Sequence, residues 1–85
     1  MATTQDDIRR WLKEGEKQKA THVIVACDTF DYDDYPVYVL KGQDVNTEVS
    51  RVRGSSMQKV MEVYSLTGKH KIEDQINEHR AHHYD

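Results

Sequence analysis

With 85 residues, 36% of them hydrophobic and 32% charged, and a formal net charge of −3, the chain has room for a single domain over 1–85 with a thin core. One cysteine, Cys27, excludes an intrachain disulfide and a cysteine-built metal cage, and the acidic balance argues against a general grip on nucleic acid. The N-terminal stretch carries Asp6 and Asp7 rather than a basic segment leading into an apolar one, and no apolar run reaches membrane-spanning length, so the expected setting is a reducing cytoplasm with no membrane contact.

Thr3 or Thr4 caps a predicted helix over 4–19, with Asp6 and Asp7 at the positive end of its dipole and Ile8, Trp11, Leu12 and Gly15 on one face. His22–Cys27 is apolar on both alternating faces and β-branched, the pattern of a central strand covered on both sides. Pro36 marks the start of a second strand running through Val37–Leu40, and its missing N–H points to an edge or a bend. Val45, Val49 and Val52 predict a short helix over 44–52, ended by Gly54-Ser55-Ser56. Residues 57–66 read as a third strand, with an amphipathic helix as the competing reading, and Ile72, Gln75, Ile76 and His79 predict a C-terminal helix over 70–82. The expected fold is α+β, order α-β-β-α-β-α, with a three-stranded, largely antiparallel sheet flanked by helices.

Chemistry concentrates in the turn between the first two strands. Asp28, Asp31, Asp33 and Asp34 share it with Phe30, Tyr32 and Tyr35. An EF-hand begun at Asp31 puts Tyr35, Pro36 and Gly42 where a carboxylate, a glycine and a glutamate are needed, so solvated turn aspartates are the simpler reading and no metal is expected there. Rings beside acceptors suit a base or sugar, which gives Tyr32, Tyr35 and Asp34 a candidate binding role; packing over a core is the competing one. Arg51, Arg53, Ser55, Ser56 and Lys59 form an acid-free run suited to phosphate, weaker than a P-loop because the glycine spacing and Lys-Ser/Thr pair are missing. A solvated basic loop is the alternative.

His79 and His83 lie four apart beside Glu78 and His82, and on a helix they would share a face. Two ligands do not make a zinc site, and surface or oligomer contacts are the expected roles. Cys27 reads as a small buried apolar group, and Ser55 and Ser56 have no assigned base, so no catalytic residue or cofactor is expected.

The segments Cys27-Asp28-Thr29-Phe30-Asp31, Asp34-Tyr35-Pro36-Val37-Tyr38-Val39, Met57-Gln58-Lys59-Val60-Met61-Glu62-Val63-Tyr64 and Glu78-His79-Arg80-Ala81 resemble a family of small uncharacterised bacteriophage and prophage proteins, over most of the chain. The resemblance implies action in the host bacterial cytoplasm and carries over no catalytic residue. The expectation is a non-enzymatic counter-defence protein, a homo-oligomer that sequesters a nucleotide-derived host immune signal. The alternative is an inhibitor that offers the acidic tip Asp31–Tyr35 to a basic host protein; a metal-dependent enzyme is the third class.

Overall fold

The computed structural model describes residues 3–78 and 80–84. Among them the chain forms α1 (Gln5–Lys17), β1 (Ala20–Asp28), β2 (Asp33–Leu40), α2 (Val45–Gly54), β3 (Gln58–Ser65) and α3 (Ile72–Asn77). The sheet order is β2-β1-β3, with β1 antiparallel to both neighbours. The element order and α+β class are those the hydrophobic periodicity predicts. No helix of the described residues is long and apolar enough to cross a membrane.

Thr4 caps α1 reciprocally: its hydroxyl accepts from the Asp7 N–H at 3.2 Å, and its own N–H donates to the Asp7 carboxylate at 3.1 Å. Ile8 and Leu12 then pack with Val23, Val25, Tyr64, Ile76 and Ala81 on one face of the sheet. Gly15 permits that approach. A Cβ there would lie 2.9 Å from Val23 Cγ2 and 3.0 Å from Leu66 Cδ1. Asp44 caps α2 through the N–H and hydroxyl of Thr47, and Val45 and Val49 cover the opposite face with Ile24, Val39 and Val63. The central strand is therefore sealed on both sides, and Val23, Ile24, Val25 and Ala26 are all fully buried.

Two expectations are corrected. β2 begins at Asp33, three residues before Pro36, which sits mid-strand opposite Val25. On β3, Val63 turns its N–H and C=O outward to the Ala81 carbonyl at 2.8 Å and the His83 N–H at 3.0 Å. Its partner Ile24 therefore directs its polar groups at Val37 of β2, and alternation leaves Pro36 facing the outer edge. A proline is tolerated there because no ladder bond is lost.

The predicted helix over 70–82 ends instead at Asn77, with Glu78 extended at ψ 144°. Beyond it the chain runs beside β3, bridging Val63 to His82 in parallel. The outward groups of Val63 need partners and Ala81 enters the core, so tertiary pairing overrides helical periodicity.

Candidate functional site

The β1–β2 connection is built by Asp28, whose carboxylate accepts from the Phe30 N–H at 2.8 Å and whose carbonyl accepts from the Tyr32 N–H at 2.6 Å. Tyr32 closes the turn in the left-handed region, φ 57°. The same end of the sheet holds the α2–β3 connection, joined to the turn by the Thr29 N–H on the Met57 carbonyl at 2.8 Å; Met57 too is left-handed, φ 62°. Three large apolar side chains project from this end: Phe30 is 73% exposed, Tyr32 67% and Met57 51%. Asp31 and Asp33 are exposed beside them.

The alternation of β2 separates the other predicted site residues. Asp34 shares a cross-sheet row with Cys27 and Lys59 and accepts a hydrogen bond from the Thr3 hydroxyl. Tyr35 pairs with Ala26 and belongs to the opposite face, the one α2 covers. Arg51 belongs to α2, which packs on that face, and Glu48 holds its guanidinium above its ordinary range. The Arg51–Glu48 ion pair measures 2.9 Å. Arg51 and Tyr35 thus belong to the same side of the sheet, whereas Asp34 and Lys59 lie on the other side and Tyr32 lies at the tip.

Arg53, Ser55 and Ser56 fall at the C-terminal end of α2. The Ser55 hydroxyl donates to the Arg51 carbonyl at 2.9 Å and its N–H donates to the Val52 carbonyl. A helix end of this polarity presents carbonyl oxygens and partial negative charge, which disfavours an anion there.

Burial, with Asp34 beside it, pushes the Cys27 thiol up and keeps it protonated at neutral pH. His82 and His83 lie beyond α3 on the segment beside β3 and not on a helix, and His79 is outside the described residues. Among the described residues no group of three His, Cys, Asp or Glu side chains is placed to hold a metal ion.

Phe30 appears in the sequence among the turn aromatics, with core packing as its competing role, but Met57 reads only as the start of a strand. Its signal was Gly54-Ser55-Ser56 just before it, a break that delays β3 to Gln58 and leaves Met57 in the connection. No family model, curated protein or solved structure matches the chain.

Proposed function

We propose that this chain is a binding protein that docks the hairpin end of its sheet onto a basic surface of another protein. The observation that carries the reading is the exposure of Phe30, Tyr32 and Met57 together at one end. Large apolar side chains clustered on a small acidic domain are costly in water unless a partner covers them, and aromatic and methionine anchors are the types enriched at interface centres. Asp31 and Asp33 supply a rim that favours a basic partner and speeds encounter. With the phage resemblance, the reading becomes a counter-defence inhibitor acting on a host protein in the bacterial cytoplasm.

Capture of a nucleotide-derived signal is the second reading, favoured by the placement of Arg51 and Tyr35 on the same side of the sheet. One experiment separates the two. Wild-type protein, a Phe30→Ser/Tyr32→Ser variant and an Arg51→Ala/Arg53→Ala variant are used as bait in a bacterial lysate, with circular dichroism confirming that each is folded. Docking through the tip predicts a protein held by the wild type and the arginine variant but lost by the tip variant. A protein partner retained by the tip variant overturns that reading, and a nucleotide released from wild type but not from the arginine variant supports the second.

A further inference from the structure

Of the four large apolar side chains exposed among the described residues, Phe30, Tyr32 and Met57 lie at one end of the sheet, while Leu40 lies at the other end of β2. The two connections that carry the three are tied side by side by the Thr29 N–H on the Met57 carbonyl, and they are opposite in charge. From Asp28 to Leu40 the chain has four aspartates and no cation; from Val49 to Met61 it has Arg51, Arg53 and Lys59 and no acid. Some of that charge is engaged within the chain: Arg51 with Glu48, Asp34 with the Thr3 hydroxyl, Asp28 with the Phe30 N–H, and Asp33 with a further partner. Asp31 on one connection and Arg53 and Lys59 on the other are exposed, and none of the three forms an ion pair among the described residues.

We propose that this end pairs with the same end of a second copy, about a two-fold axis that sets the acidic hairpin of each copy over the basic connection of the other. An isologous contact needs a surface complementary to itself, and an apolar centre with opposite charges on its two sides meets that need. Hairpin on hairpin would instead set like charges together. Strand addition is the competing route to a dimer, but the C-terminal segment covers Val63 on the β3 edge and Pro36 offers no donor on the β2 edge. A stable pairing buries about 800 Å² per copy, more than three side chains supply, so this dimer dissociates readily. Because the proposal rests on the reading of the tip as a docking surface, self-pairing and partner docking exclude each other, and only the monomer engages a basic partner.

Sedimentation equilibrium of the full chain from about 5 μM to about 1 mM tests this, with circular dichroism confirming that each variant is folded. Wild type is expected to pass from monomer to dimer across that range, and Phe30→Ser/Tyr32→Ser to raise the dissociation constant about tenfold or more. Asp31→Arg and Arg53→Glu/Lys59→Glu should each stay monomeric alone, yet pair when mixed, because the swapped charges then attract at both contacts. A wild type monomeric throughout, a dimer unchanged by the tip substitutions, or a mixture that stays monomeric each overturns the pairing. If Arg53→Glu/Lys59→Glu fails to fold, Arg53→Glu takes its place. The two readings fail separately: a monomeric wild type whose lysate partner is lost by the tip variant overturns self-pairing alone, and a dimer whose tip variant still holds that partner overturns docking alone.

Discussion

Gln75 is 1% exposed, a depth at which a carboxamide survives only with its donors and acceptor paired. Its carbonyl accepts the Ser65 N–H at 2.7 Å, and its amide donates to the Ser65 carbonyl at 2.9 Å. One side chain thus does for β3 what a neighbouring strand would do. Gln75→Leu keeps the volume but strands both backbone groups, and is expected to cost about 2–4 kcal/mol, read from urea unfolding; a loss under about 0.5 kcal/mol would show that Ser65 finds other partners. Tyr32 has the opposite character. Its left-handed backbone is strained for a bulky residue, so Tyr32→Gly is expected to raise stability by about 1 kcal/mol, while partner binding through the tip weakens. Gains in both stability and affinity would remove Tyr32 from the binding surface.

At the scale of elements, periodicity made α1, β1 and α2 legible, with a threonine cap read in advance for α1 alone. Thr4 with Asp7, and Asp44 with Thr47, cap the helices with side chains visible in the sequence. What stayed hidden depended on non-local geometry. The position of Pro36 within β2 makes sense only once the register at Val63 is known, and the early end of α3 depends on an edge that the C-terminal segment must fill. The candidate site was legible as composition but not as arrangement: Asp34 and Tyr35 are adjacent in sequence and therefore on opposite faces of the sheet. Between helices, Arg9 joins α1 to α3 through Glu73 at 2.8 Å and holds that carboxyl below its ordinary value of 4.5. A depressed carboxyl contributes stability above its unfolded value and loses it as pH falls through the folded one. Arg9→Gln should therefore flatten the acid limb of the stability curve below pH 4.5, measured by thermal melts at stepped pH, and added salt should reproduce part of that effect in the wild type. An unchanged acid limb would mean that Glu73 titrates alike in both states.

For the whole molecule, a three-stranded sheet has two edges, and each is closed by a different device. The edge of β3 is filled by the Gln75 carboxamide and the C-terminal segment. Along β2, Pro36 removes one outward donor, and the Leu40 N–H is taken by the Gln43 side chain at 2.8 Å, while Asp33 and Asp34 charge the end nearest the hairpin. Edge proline and edge charge are the means by which small sheets avoid pairing with their own copies. Self-association, expected from so thin a core, would then have to run through helices or the hairpin end rather than through strand addition. Pro36→Val tests the arrangement directly, since it restores an outward N–H in the middle of β2 and raises β-propensity at a position that belongs to neither core cluster. Sedimentation velocity over a concentration series should show the variant associating at lower concentration than the wild type. If Pro36→Val sediments as the wild type does at every concentration, the proline does not guard the edge, and charge or the short length of β2 is what keeps it unpaired.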